Sequence, residues 1–229
     1  ELVVDTTAPT ITVDSLATND TTPGLSGTVN DNDATISVSV DGQTVAANNN
    51  GDGTWSLADD TLAALGEATW DVSVTATDIA DNSGSDATSG ELVIDTTAPD
   101  APSVPDLDTA SDTGNTTDDI TSDDTPTVSG TAEANSAVEL FEGATSLGTT
   151  IADGSGNWSI TGSTLTEGPH SLTAAATDTA GNTGATSAAL SVTIDTTTPA
   201  APSTPDLDPS SDSGLLGDAI TNDSTPTLV

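Results

Sequence analysis

Internal repetition constrains this chain more than any other feature. The string Leu-Val-Val-Asp-Thr-Thr-Ala-Pro ending at Pro9 returns as Leu-Val-Ile-Asp-Thr-Thr-Ala-Pro ending at Pro99 and as Val-Thr-Ile-Asp-Thr-Thr-Thr-Pro ending at Pro199. Its marker aspartates, Asp5, Asp95 and Asp195, stand 90 and then 100 positions apart. A chain repeated on this scale folds as an array of like units. Inner markers keep step: Pro23 to Trp55 and Pro126 to Trp158 are both 32 positions, and Asp78 to Asp95 and Asp178 to Asp195 are both 17. Unit length changes mainly between Pro9 and Pro23 (14 positions) and its counterparts Pro99 to Pro126 and Pro199 to Pro226 (27 each). Length variation confined to one connection marks a loop. The expected organisation is the end of a preceding repeat (1–8), two full domains (9–97 and 98–197) and the truncated start of a third (198–229). Both ends read as cuts within strands.

Within a unit, short runs alternate with period two. Ile36-Ser-Val-Ser-Val40 and Val72-Ser-Val-Thr-Ala76 place apolar residues on one face and hydroxyls on the other. Clusters of Gly, Asn and Asp at 48–53 and 153–157 punctuate the runs as hairpin turns. Expected strands in the first unit are 10–13, 24–29, 35–40, 43–47, 54–58, 70–77 and 90–94, with one short helical turn at 59–65. About seven short strands in such a unit indicate a two-sheet sandwich. The fold class is all-β: tandem immunoglobulin-like Greek-key sandwiches. The Pro-rich segments at 98–105 and 198–205 are expected to be short, stiff linkers. Trp55 and Trp158, each just after a turn, are the expected core anchors.

The chain of 229 residues carries 37 Asp and Glu, one His and no Lys or Arg, a formal net charge of -37. Nucleic acid and anionic membrane surfaces require basic side chains, so neither is an expected partner. Without Lys there is no Schiff base, and without Cys no disulfide or thiolate metal site. Leu, Ile, Val and Phe make only about 18% of the chain, which at this charge falls in a disordered composition class. The kept spacings and regular alternation argue for folding, with bound cations offsetting the repulsion between carboxylates.

The Asp-Thr-Thr-x-Pro junctions and the Gly-x-Trp-Ser turns resemble the bacterial Ig-like repeats of giant biofilm-associated and type I-secreted RTX adhesins. So do Thr-Asp-Ile-Ala-Asp-Asn (77–82), Thr-Asp-Thr-Ala-Gly-Asn (177–182) and Asp-Leu-Asp-Thr-Ala-Ser-Asp-Thr-Gly (106–114). The resemblance spans essentially the whole chain. It implies an extracellular or bacterial cell-surface location, calcium at domain junctions, and use as an extender or adhesive stalk.

Two acidic groups could supply the six to eight oxygens that calcium takes. At the poles, Asp95 faces the 178–182 loop with Asp178, and Glu133 comes to the same pole. Asp195 repeats the role of Asp95, and Asp5 approaches Asp78 and Asp81. In the long insert stand Asp106, Asp108, Asp112, Asp118 and Asp119, with counterparts Asp206, Asp208, Asp212 and Asp218. The 12–20 connection of the first unit lacks this insert. Neither group has EF-hand spacing or the Gly-rich nonapeptides of β-rolls. An Asp in a turn can equally serve only as an Asx-turn acceptor.

No catalytic residues are expected. His170 takes the place of Trp70 in the repeat, no Gly-x-Ser-x-Gly elbow exists, and small sandwiches offer little concavity for paired carboxylates. The leading function is a calcium-stiffened structural extender of a bacterial adhesin or filament, in cell adhesion and biofilm. The alternative is a calcium-dependent carbohydrate- or protein-binding module. Expected partners are calcium, neighbouring repeats and, in a fibre, like chains, with no direct membrane contact.

Overall fold

The structure is a computed structural model that describes residues 4–213, 215 and 217–229. It contains one compact unit ending at Asp195 and a second, Thr196–Val229. Inside the first unit, two sandwiches follow one another. The first is built from β1 (Leu16–Thr18), β2 (Leu25–Thr28), β3 (Thr35–Val40), β4 (Gln43–Asn49), β5 (Thr54–Leu57), β6 (Ala68–Trp70), β7 (Ser73–Thr77), β8 (Ser83–Ser85) and β9 (Leu92–Ile94). The second has β10 (Asp106–Leu107), β11 (Ile120–Thr121), β12 (Thr127–Thr131), β13 (Ala137–Glu142), β14 (Thr145–Ile151), β15 (Asn157–Thr161), β16 (Gly168–Thr177) and β17 (Leu190–Ile194). No helix occurs among the described residues.

Alternation sets which side chains face inward. In β3, Ile36, Val38 and Val40 are buried while Thr35, Ser37 and Ser39 point outward. The β3–β4 hairpin closes on Asp41-Gly42, both at positive φ (47° and 72°), as a twist-matched two-residue turn requires. In the first sandwich the sheets run β2-β5-β4-β3-β7-β8 and β1-β9-β6; in the second, β10-β12-β15 and β11-β17-β16-β13-β14. One apolar core fills each sandwich.

Trp55 and Trp158, 0% and 4% exposed, lie in those cores. Trp55 Nε1 donates to the Thr12 carbonyl at 2.8 Å, whereas the buried Trp158 N–H meets no acceptor. Each indole covers a glycine. A Cβ on Gly27 would stand 2.7 Å from Trp55 Nε1, and one on Gly130 would stand 2.6 Å from the Trp158 ring.

Several expected elements differ. Segment 10–13 contributes only a bridge between Ile11 and Val29, because backbone bonds from Thr12 to Thr28 and from Asp14 to Ser26 hold it beside β2 without a continuous ladder. The chain then crosses over, and β1 pairs in parallel with β9. The expected strand 70–77 is split between β6 and β7 in the first sandwich and continuous as β16 in the second. Segment 59–65 is a turn at Asp59 and Asp60 that inserts Leu62 and Leu65 into the core, not a helical turn. Strand β8 has no sequence signal, being Ser-Gly-Ser.

In the second unit, Leu207 bridges Leu228, and Asp206 and Val229 exchange backbone hydrogen bonds.

Candidate cation sites and the junction between the sandwiches

With no Lys or Arg anywhere, and the one His held by Glu142, any other buried carboxylate here is met by local dipoles, by a proton or by an outside cation. Among the described residues, four acidic side chains are buried: Asp78, Glu91, Asp112 and Asp178, at 7%, 5%, 4% and 9% exposure.

Asp78 and Asp178 are met by dipoles. Asp178 Oδ1 accepts the Ala180 and Asn182 N–H groups at 2.8 and 2.9 Å, and its Oδ2 accepts Asn182 Nδ2 at 2.8 Å. Asp78 repeats the pattern with Ala80 and Asn82, all three bonds at 2.8 Å. The Asn82 side chain first, and backbone N–H groups after it, hold Asp78 below the usual carboxylate value. Burial would raise Asp178, but the side chain and backbone of Asn182, with Ala180 and Gly181, outweigh it and lower that carboxyl too.

The same loop forms the junction. Asn182 Nδ2 donates to the Asp95 carbonyl at 2.8 Å, and the Asn19 N–H donates to the Ala180 carbonyl at 3.0 Å. Asn82 Nδ2 likewise reaches the Asp5 carbonyl at 3.2 Å. Asp95 and the 178–182 loop therefore meet through an amide and a carbonyl. The Asp95 and Asp5 carboxylates cap their own turns, accepting the Thr97 and Thr7 N–H groups at 3.0 Å each. Asp81 is exposed at positive φ (65°). Glu133 is exposed on a surface recess that it shares with Glu67, Asp95 and Thr97. The Asp195 N–H donates to the Thr121 carbonyl at 2.8 Å. Sequence reasoning passed over Asn82 and Asn182, although each follows its aspartate by the same four positions.

The insert is different. Asp108 and Asp118 cap turns through the Ala110 and Ile120 N–H groups at 2.9 and 3.2 Å, and Asp106 is exposed on β10. Asp112 is buried with its Oδ1 enclosed and unpartnered. Burial, then the charges of Asp118, Asp119 and Asp106, push its carboxyl above the ordinary value. The second unit repeats the motif: Asp212 Oδ1 is enclosed and unpartnered, while Oδ2 accepts the Gly217 N–H at 2.6 Å. An orphaned buried oxygen under the charge of other carboxylates fits a hard cation, because an added positive charge relieves both the missing bond and the repulsion. Among the described residues, no three acidic or His side chains already stand together as a metal-ligating group.

His170 is buried on β16, its Nδ1 2.6 Å from Glu142 Oε1 and its Nε2 2.8 Å from the Thr166 carbonyl. Trp70 Nε1 makes the matching bond to the Gly66 carbonyl at 3.0 Å.

The sequence profile of the bacterial Ig-like domain matches residues 4–96 and again 97–196. Solved structures that resemble the chain include three from bacterial surface proteins. A biofilm-associated protein's BSP domain is 21% identical over 82% of this chain and 30% of that one, with TM-score 0.32. A tetra-tandem repeat in the extending region of a large adhesion protein is 24% identical over 87% and 50%, TM-score 0.33. A calcium-stabilised adhesin that helps an Antarctic bacterium bind ice is 24% identical over 90% and 53%, TM-score 0.35. The chain thus spans between 30% and 53% of the length of these structures. No curated protein matches it. With two consecutive profile matches taking in most of its length, the chain belongs to the bacterial Ig-like domains, a family of non-enzymatic structural modules.

Proposed function

We propose that this chain is an extender segment of a bacterial surface adhesin, located outside the cell, in which domains 9–97 and 98–197 act as spacers. The observation that carries this reading is the junction. The Asn182 amide and the Asn19 N–H tie the distal pole of one sandwich to the proximal pole of the next, and Asn82 offers the same amide to Asp5. A bond repeated at the same place in successive units transmits orientation along an array, which is what spacing requires. The tryptophans of the two cores are buried, so they supply no platform for a sugar.

Calcium belongs to the reading as stiffener. In the insert, Asp112 would be the anchoring ligand, with Asp106, Asp118 and Asp119 closing around the ion and Asp108 holding the turn. The polar carboxylates Asp5, Asp78, Asp81, Asp95, Glu133, Asp178 and Asp195 form a second tier. Asp78 and Asp178 already accept three hydrogen bonds each, and they would serve by shaping the loop. A cation that binds only the folded chain adds RT ln(1 + [L]/Kd), about 2.7 kcal/mol per site at a hundredfold excess over Kd. Melts of the full chain in calcium and in chelator should differ, and Asp112→Asn should remove most of the difference in the second sandwich. Small-angle scattering should show Asn182→Ala broadening the distance distribution. If that variant scatters like the wild type in both conditions, the amide does not set the junction and the spacer reading loses its support.

A further inference from the structure

Glu91 is the remaining buried carboxylate, and neither of the groups above explains it. It sits where the first sandwich departs from the second. Between β6 and β7 the backbone ladder stops, and side chains take over. Glu91 Oε2 accepts the Val72 N–H at 3.1 Å, while Asp71 Oδ1 accepts the Gly90 N–H at 2.7 Å. In the second sandwich the same level is plain ladder, Ser171 opposite Ser191.

Glu91 Oε1 is enclosed and receives no hydrogen bond. The neighbouring Thr88 hydroxyl has one proton, and it goes to Asp86 Oδ2, which also accepts the Thr88 N–H at 3.0 Å. A carboxylate oxygen enclosed without a hydrogen bond, in a chain without Lys or Arg, calls for a cation from solution.

We infer that Glu91, Asp86 and Asp71 form a calcium site confined to the first sandwich. Glu91 Oε1 is its fixed ligand; half-buried Asp86 and exposed Asp71 swing onto the ion, and water completes the shell. The donors are all hard oxygens, which selects a calcium-class ion over zinc or copper. The second sandwich has Ser171, Thr186 and Ser191 at these positions. There the Ser187 hydroxyl accepts the Ala174 N–H at 2.9 Å and no carboxylate enters. The inference does not rest on calcium in the insert, because Asp112 belongs to the other sandwich.

Calcium titration of the full chain by calorimetry, with Asp112→Asn as background, isolates this site from the insert of the second sandwich. Glu91→Gln should lose one equivalent of bound calcium, and Asp86→Asn should weaken that equivalent about tenfold or more while leaving the fold intact. Terbium luminescence excited through indole supplies a local readout, because Trp70 precedes Asp71 in the chain and pairs with Leu92 next to Glu91. Trp70→Phe should dim it without changing stoichiometry. Calcium binding by Glu91→Gln that superimposes on its background overturns the site, and so does unchanged binding by Asp86→Asn if Glu91→Gln fails to fold.

Discussion

At one level of the fold the two sandwiches answer the same demand with different chemistry. In the first, Trp70 donates its indole N–H to the Gly66 carbonyl; in the second, His170 faces the Thr166 carbonyl from the same register and Glu142 from its other nitrogen. A carbonyl and a carboxylate both accept, so the two ring nitrogens are satisfied together when the ring is an imidazolium. This is the one place where a side chain of the protein can carry positive charge. One residue further on, Asp71 and Glu91 interrupt the ladder of the first sandwich, while Ser171 and Ser191 leave that of the second intact. The comparison teaches that the repeat specifies the core and the register, while individual units vary their electrostatics around it.

The largest expected effect tests the shared core. Trp55→Ala and Trp158→Ala should each cost about 3–5 kcal/mol, read by hydrogen exchange in the affected sandwich. Phenylalanine separates the pair: Trp55→Phe also loses the bond to the Thr12 carbonyl, about 1 kcal/mol more, whereas Trp158 has no such bond to lose.

A middle effect comes from the glycines beneath the indoles. An added Cβ on Gly27 would stand 2.0 Å from the Thr12 carbonyl oxygen, which is backbone. One on Gly130 meets the Trp158 ring and the Ser103 hydroxyl, which are side chains. Gly27→Ala should therefore destabilise at the upper end of the usual overpacking range of about 1–3 kcal/mol, and Gly130→Ala should cost less. Equal losses would mean that the first sandwich shifts its 10–14 segment freely.

The smallest effect is with pH. Burial opposes protonation of His170, but the Thr166 carbonyl and then Glu142 raise its pKa above the ordinary 6.5. Its contribution is fully present below the unfolded value and is lost as pH rises through the folded one. Asp178, held low, acts in the opposite sense: its contribution is present at neutral pH and lost as pH falls through its folded pKa. The second sandwich should lose stability as pH rises above the ordinary imidazole value, by a step that the first lacks. His170→Trp should remove that step in melts followed across the neutral range.

The sequence by itself determined the architecture and the placement of its anchors. Period-two alternation and a repeat that keeps its inner spacings leave one way to bury Ile36, Val38 and Val40 together, so cores and the burial of Trp55 and Trp158 follow from local pattern. It also marked the insert aspartates, whose crowding is visible in one dimension. Tertiary structure decided the rest. Whether Asp78 and Asp178 face an ion or their own loop depends on which N–H groups the turn aims at them, and that direction is a matter of backbone angles in three dimensions. Glu91 carries no local signal at all: it reads as one acidic residue before a strand. Its enclosure arises where β6 and β7 part at Asp71 and Val72, which brings the Val72 backbone N–H, 19 positions away in the chain, to one carboxylate oxygen and leaves the other shut from water.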